Sequence, residues 1–271
     1  YYGNVSERQI DLPRSIAGHR LEWTPFPRVT LGATETVIYG VRDLDVHYLM
    51  PFIPFWSLQH YLGDTDNIQM SGDVSLIFEN RTLYAVLFVD EWRPEWTFKA
   101  ENRNWFGWQF GFSQTGIINK SDKVQAEFTW TDHRIYRHRF SINDYNSHGY
   151  PLGFWAGPHA QELFIKYETS FHNYGLTFTY SDVTRGELTE EMLENQYEDI
   201  LYKRFSGNSE NRMVIGVLIQ RSFIKDQLGF QAGVEFIHWN NPGFDPYKSD
   251  PSLGEDIEKW SISMGIYYNI K

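Results

Sequence analysis

The sequence lacks three features that would each point to a particular class of protein. It contains no cysteine, which excludes disulfide bonds and thiolate metal sites and permits an oxidising compartment without requiring one. No apolar run approaches the roughly 18 to 20 residues of a membrane-spanning helix, so helical spans are excluded. Basic residues are outnumbered, with 24 Lys and Arg against 35 Asp and Glu and a net charge of -11. This balance argues against a nucleic-acid-binding surface.

The start of the chain also lacks the usual signals. It opens Tyr1-Tyr2-Gly3-Asn4, with neither an initiator methionine nor a basic segment followed by an apolar one. We interpret the sequence as a processed chain or as one part of a longer protein, without a further domain boundary across residues 1–271.

Aromatic residues, in contrast, are abundant. They make up 17% of the chain, yet the mean hydropathy is low at -0.48. A membrane β-barrel combines the two properties, because its apolar side chains face lipid while its polar side chains face a wet interior. A soluble two-sheet sandwich with a crowded aromatic core is the alternative that composition leaves open.

Alternation of apolar and polar residues recurs over most of the chain. From Trp260 to Tyr268 every second residue is apolar, and most of those between are small or polar. Because side chains on a strand point to opposite faces in turn, such a segment has one apolar and one polar face. The pattern predicts eleven strands, near residues 18–24, 28–39, 67–79, 82–90, 96–113, 123–136, 160–170, 173–182, 212–221, 227–238 and 259–270.

The length of these segments favours the barrel over the sandwich. Several exceed the roughly 5 to 6 residues of a soluble strand and reach the roughly 9 to 11 that cross a bilayer. We therefore predict an all-β fold, a transmembrane antiparallel up-and-down β-barrel of which about 11 to 12 strands are visible, since bacterial barrels have an even number of strands. Small residues on the polar side would relieve crowding there: Gly175, Gly229, Gly233 and Gly265. Residues 187–204 read as an acidic helix or loop.

Two local clusters are candidates for ligand binding. Residues 90–96 combine carboxylates, tryptophans and arginine, which is the chemistry that binds sugars, with C–H groups on the rings and hydroxyls on the charged groups. Basic residues that follow strand 123–136 could hold an acidic polysaccharide or lipid phosphates. A solvated turn is the alternative for each cluster. The predicted polysaccharide-binding residues are Asp90, Glu91, Trp92, Arg93, Trp96, Arg137 and Arg139.

Catalytic and metal signatures are sparse. The nine histidines are scattered, and His133 and His138 are five apart, which on a strand would place them on opposite faces. A membrane-embedded lipase would need a serine and a histidine on facing strands, but no Gly-x-Ser-x-Gly motif occurs. We therefore predict a protein that is not an enzyme, with no catalytic residues, no bound metal and no cofactor.

Nine short blocks, in order and at consistent spacing, resemble the Wzi-type capsule assembly family. They are residues 19–23, 31–35, 37–40, 48–52, 63–67, 89–92, 108–111, 127–129 and 150–160. The most distinctive is Tyr-Pro-Leu-Gly-Phe-Trp-Ala-Gly-Pro-His-Ala at 150–160. The resemblance covers about residues 17–186, and the last three strands share only barrel character. The chain departs from the family by ending without a terminal aromatic residue.

The resemblance implies an 18-stranded outer-membrane barrel with a periplasmic helical element, which acts as a lectin in surface attachment of capsule. This chain is too short for that barrel, so the expectation includes a missing N-terminal portion. The implied location is the bacterial outer membrane, and the implied partners are membrane lipids, capsular or extracellular polysaccharide and other envelope proteins. Three alternatives remain: a porin, a barrel subunit of a larger envelope assembly, and a soluble sugar-binding sandwich.

Overall fold

The computed structural model describes residues 13–40, 43–63, 65–93, 104–138, 140–148, 150–195, 198, 202–223, 228–246 and 254–268. Strands dominate it: β1 (Arg14–Phe26), β2 (Val29–Gly40), β3 (Asn67–Ile77), β4 (Arg81–Glu91), β5 (Trp105–Thr115), β6 (Lys123–Thr131), β7 (Asn146–Ser147), β8 (Tyr150–Pro151), β9 (Ala160–Phe171), β10 (Tyr174–Gly186), β11 (Ser209–Phe223), β12 (Leu228–Asn240) and β13 (Ile257–Tyr268). Two short α-helices, α1 (Phe55–Leu62) and α2 (Glu190–Glu194), and two 3-10 turns, Val46–Leu49 and Ser141–Asn143, lie in the connections.

Eleven of these strands form one up-and-down antiparallel sheet, in chain order from β1 to β13, and only the short β7–β8 pair stands apart. The predicted strand count is therefore confirmed. Within the described residues β1 is hydrogen-bonded to β2 alone and β13 to β12 alone, so the sheet has two edges there. Strand β6 was predicted to reach residue 136 but ends at Thr131. The reason is Asp132, whose side chain accepts the backbone N–H of Arg134 at 2.9 Å and turns the chain.

The connections at the two ends of the sheet differ in length. At one end the strands are joined by residues 27–28, 78–80, 116–122, 172–173 and 224–227. At the other end, here called the long-loop end, they are joined by residues 41–66, 92–104, 132–159, 187–208 and 241–256. The helices, the 3-10 turns and the β7–β8 pair all belong to the long-loop end. The predicted acidic segment at 187–204 includes α2, which begins after Thr189, whose hydroxyl accepts the N–H of Met192.

Strand register sorts the side chains onto two faces of opposite character. Paired residues share a face, so the register places one row of each strand on a common apolar face. Its large exposed members include Leu21, Trp23, Leu83, Trp108, Phe110, Phe128, Ile165, Phe178, Ile215, Ile219, Phe230, Trp260, Ile262, Met264 and Ile266. Leu21 is 72% exposed and Ile266 78%. An apolar area that extends across eleven strands is far larger than soluble monomers leave uncovered.

The opposite face, the polar face, carries the ionic contacts of the sheet that involve arginine and lysine. Arg20 contacts Asp73 at 2.6 Å, and Lys166 contacts Glu168 at 2.7 Å. The glycines predicted for the polar side all lie on this face. A Cβ at Gly229 would collide with the ring of Tyr267, which confirms that the small residue makes room for a large neighbour.

Loop residues cover each face near the long-loop end. On the polar face the β6–β9 connection (residues 132–159) packs Ile135, Tyr136 and Tyr145 against Ile38 and Trp105. On the apolar face of β1–β3, the segment that holds the first 3-10 turn and α1 packs Tyr48, Phe55 and Leu58 against Val37, Tyr39 and Ile68. The two clusters are the main buried cores among the described residues, and both lie at the same end of the sheet.

Candidate functional site

A cleft forms at the long-loop end where β3 and β4 separate. Pairing between these strands stops at Met70 and Val89, although both strands continue. Strand β3 stays with β2 as far as Asn67, while β4 follows β5 to Glu91. The two strands diverge, and a cavity of about 810 Å³ lies between their ends.

A β-bulge helps to open this cleft. The register between β4 and β5 shifts between Val89 and Glu91, so Asp90 has no partner across the ladder. A bulge redirects the side chain at the irregular position. Here it places the Asp90 carboxylate against the β6–β9 connection, where Oδ2 accepts the backbone N–H of Tyr136 at 2.6 Å. The cleft wall and the loop on the polar face are thereby joined.

Four parts of the chain line the cleft. They are α1 with Trp56, Gln59 and His60, the start of β3 with residues 66–68 and Met70, the end of β4 with residues 90–93 and Trp105 opposite, and the β6–β9 connection with Arg137 and His138. Three carboxylates, two arginines, two histidines and three tryptophans are thus within one cavity. This is a mixed-charge, aromatic-rich lining.

The buried part of the lining is ordered by hydrogen bonds. Asp66, which is fully buried, accepts the hydroxyl of Tyr48 at 2.6 Å through Oδ2. Its backbone carbonyl accepts the side-chain amide of Gln59 at 2.7 Å, which ties α1 to the start of β3. Trp105 and Arg137 are buried beside these groups. The deep groups are therefore held in place before any ligand arrives, which lowers the entropy cost of binding.

The outer part of the lining is accessible. Trp56 and Trp92 each expose more than half of their surface. Arg93 Nε lies 3.4 Å from Glu91 Oε1, a contact between two partly exposed side chains, and the Arg93 N–H donates to Asn104 Oδ1 at 2.7 Å. Indole faces and ionised groups are therefore available together at the opening of the cleft.

The structure brings together most of the residues that the sequence singled out for ligand binding. Asp90, Glu91, Trp92, Arg93 and Arg137 line the same cavity, although Arg137 is far from the others in sequence. Trp96 and Arg139 lie outside the described residues. Whether these side chains hold a sugar stays a prediction.

Sequence reasoning missed the contribution of α1. The available signal was residues 54–63, an aromatic-rich stretch between Pro54 and Gly63. Gly63 ends the helix with φ of 99°, a left-handed conformation that favours glycine. Trp105 was missed as well, since no local pattern shows which residues of distant segments meet at a strand end.

A second polar cluster at the long-loop end has a structural character. His159 Nδ1 lies 2.7 Å from the carbonyl of Glu187, and its Nε2 accepts the N–H of Phe205 at 3.2 Å, so both ring nitrogens are used. Burial, aided by the nearby Arg204 and His133 charges, lowers the pKa of His159 to about 4. Burial also lowers the pKa of Arg204 to about 10, and this guanidinium donates to the carbonyls of Thr131 and Ala160. The cluster fastens two loops together.

Across the part of the chain that the structure describes, no group of three His, Asp or Glu side chains could hold a metal ion. None of the described helices is long and apolar enough to cross a membrane. No family model, no curated protein and no solved structure matches this chain.

Proposed function

We propose that this chain forms part of an outer-membrane β-barrel that binds capsular or other extracellular polysaccharide and holds it at the bacterial surface. The observation that carries the proposal is the cleft between β3 and β4, where the exposed rings of Trp56 and Trp92 stand beside Glu91 and Arg93. Sugar rings present C–H groups that pack on aromatic faces and hydroxyls that hydrogen-bond to charged groups. The cleft offers both.

The exposed apolar face and the opposite polar face of the sheet support the membrane location. An apolar face open to the surroundings and a polar face with ion pairs are what a barrel in a bilayer requires. Sheet strands of nine to fifteen residues are long enough to cross the hydrocarbon layer, which takes roughly 9 to 11. On β13 the apolar row begins with Trp260 and ends with Tyr268, with aliphatic residues between them. Aromatic residues at both ends of an aliphatic row fit the two interfaces of a membrane.

The loop lengths suggest an orientation. Outer-membrane barrels have short periplasmic turns and longer extracellular loops. The long-loop end, which contains the cleft, would then face the cell exterior. A polysaccharide site there would be reached directly from the surface.

A porin is the main competing function. The polar face would line a channel, as it does in porins. The position of the β6–β9 connection argues against a porin, because this loop lies on the polar face and is hydrogen-bonded to β1, β2 and β3. Arg14 donates to the Asn146 carbonyl at 2.6 Å, and Asn67 donates to the Asn143 carbonyl at 2.8 Å. The hydroxyls of Thr36 and Tyr145 lie 3.3 Å apart. A connection that occupies part of this face favours binding over conduction. A barrel subunit of a larger envelope assembly is compatible with the same features.

The test measures polysaccharide retention and conductance on one preparation of the full-length protein in liposomes. Trp92→Ala and Trp56→Ala are compared with Trp23→Ala, which removes an exposed ring from the apolar face far from the cleft. We expect each cleft variant to weaken binding of the producing organism's own surface polysaccharide by about 10-fold or more, as loss of a central aromatic anchor does. Trp23→Ala should bind like the unmodified protein.

Two results contradict the proposal. One is equal retention by all variants, which would place the polysaccharide elsewhere. The other is steady conductance in planar bilayers without polysaccharide retention, which would leave a porin.

A further inference from the structure

The segment between β2 and β3 has an unusual position for a loop. Its residues Phe55 and Leu58 pack on Val37, Ile68 and Met70, which the register places on the apolar face of the sheet. The segment therefore lies on the outer side of β1–β3, at the long-loop end, whereas the β6–β9 connection lies on the opposite face. Whatever covers the apolar face also meets this segment.

The side of the segment that does not touch the sheet is itself apolar. Seven of its large apolar side chains are exposed, and Phe52 and Tyr61 are the most exposed of them, at 95% and 83%. The seven are Leu44, Val46, Leu49, Met50, Phe52, Trp56 and Tyr61. In water such a concentration would be unfavourable, since each large ring loses about 1.5 to 3 kcal/mol of transfer free energy by staying exposed.

The segment also covers a polar contact on the apolar face. Glu35 Oε2 accepts the backbone N–H of Phe55, the first residue of α1, at 2.8 Å, and lies 3.0 Å from His19 Nε2. The ring of Phe55 lies 4.2 Å from that of His19. A carboxylate on a face that meets hydrocarbon would be costly. With α1 above it, Glu35 instead satisfies an N–H at the positive end of a helix.

We infer that residues 43–62 form an interfacial membrane anchor, in which Phe52 and Tyr61 insert among the headgroups and upper acyl chains of the leaflet at the long-loop end. This inference rests on the proposed membrane barrel and goes beyond polysaccharide binding. Lipid is the occupant because the segment covers part of the apolar face of β1–β3 and adds its own exposed apolar side chains there. Amphipathic segments of this kind lie in the plane of the interface, with tryptophan and tyrosine at headgroup level.

The anchor has a consequence for the cleft. Trp56, Gln59 and His60 of α1 form one of its walls. Insertion of residues 43–62 fixes that wall at the height of the membrane surface. A polysaccharide in the cleft would then lie against the lipid headgroups rather than at the tip of a loop.

Because residues 1–271 contain no cysteine, single cysteines introduced among them can be labelled for a direct test. A single Phe52→Cys variant of the full-length protein is labelled with an environment-sensitive fluorophore and reconstituted with lipids that carry a nitroxide near the headgroup or deep in the acyl chain. Met264→Cys, in the middle of the apolar row of β13, is the membrane control. Lys203→Cys, exposed in the β10–β11 connection at the same end, is the aqueous control. Tyr61→Cys repeats the measurement at the other end of the segment.

We expect lipid nitroxides to quench the label at residue 52 several-fold more than at residue 203, with the shallow nitroxide more effective than the deep one. At residue 264 the deep nitroxide should dominate. Quenching at 52 by aqueous iodide alone would overturn the anchor, as would protection from both lipid and iodide, which means contact with a second copy or another protein. If either result is found while lipid nitroxides still quench the label at residue 264, the anchor is wrong and the proposed membrane barrel stands. If lipid nitroxides do not quench the label at residue 264, the proposed membrane location is wrong as well.

Discussion

The carboxylate of Asp90 and the backbone N–H of Tyr136 meet at 2.6 Å, across 46 positions of the chain. This contact joins the bulge that opens the cleft to the loop that covers the polar face. The Asp90 carboxylate also accepts a hydrogen bond from the side chain of Gln69. The geometry of the cleft and the position of the β6–β9 connection therefore both depend on the Asp90 carboxylate.

Asp90 gives the first prediction. Asp90→Ala removes the acceptor and leaves a buried N–H without a partner, so we expect it to lower the free energy of unfolding by about 1–3 kcal/mol relative to Asp90→Asn. The asparagine keeps an acceptor oxygen for the Tyr136 N–H. Thermal unfolding in detergent, followed by circular dichroism, measures the difference. Asp43→Ala, at an exposed position, controls for loss of charge; equal melting of the two alanine variants would contradict the prediction.

The strands and their faces were predictable from sequence because alternation is a local signal. The row from Trp260 to Tyr268 fixes which side chains share a face without any knowledge of neighbouring strands. The end of β6 was mispredicted because Asp132 turns the chain through its side chain, and side-chain capping overrides periodicity.

The cleft was predictable only in part. Asp90, Glu91 and Trp92 attracted notice because they are adjacent in sequence, and charge and rings together suggest a ligand. The cleft exists, however, because β3 stops pairing with β4 at Met70 and Val89, and such divergence is a long-range property of the sheet. Residues 55–62 do not show a clear helical period in the sequence. Apolar side chains of α1 face the sheet on one side, and aromatic rings are exposed on the other, so apolar residues occur around most of the helix.

The second prediction compares two ion pairs on the polar face. Arg185 and Glu210 are buried and 2.9 Å apart, and Glu210 also accepts the indole N–H of Trp239 at 2.7 Å. We expect Arg185→Ala to cost about 3–5 kcal/mol, because it leaves a buried carboxylate without its cation. Lys166→Ala, which breaks the solvent-accessible contact with Glu168, should cost less than about 1 kcal/mol. Denaturant unfolding of each variant measures the loss in the free energy of unfolding. Equal losses for the two variants would contradict the prediction and would show that both ion pairs are equally hydrated.

The third prediction concerns pH. Unfolded His159 takes up a proton near pH 6.5, whereas burial holds its folded pKa at about 4. Between these values the unfolded state binds more protons, so stability decreases as pH falls from 6.5 to 4, by up to about 3 kcal/mol for this residue. His159→Gln, which can still donate to Glu187 and accept from Phe205, should flatten that part of the profile.

The control for the pH profile is His60→Gln, since His60 is exposed. It should retain the slope of the unmodified protein in the same unfolding series. A His159→Gln profile as steep as that of His60→Gln would assign the acid sensitivity to other groups.

The last prediction follows from the way in which the β6–β9 connection is fastened. Arg14 donates to the carbonyls of Ile142 and Asp144, both at 3.1 Å, and to that of Asn146 at 2.6 Å. Hydrogen bonds from a charged donor are stronger than neutral ones, so Arg14→Ala should loosen the connection from the polar face. In planar bilayers we expect full-length Arg14→Ala to open transiently more often than the unmodified protein. Arg81→Ala, which loses an exposed contact with Gln114 at the opposite end, should not. If all three proteins conduct alike, the connection on the polar face does not control passage through the barrel, and the argument against a porin loses its physical basis.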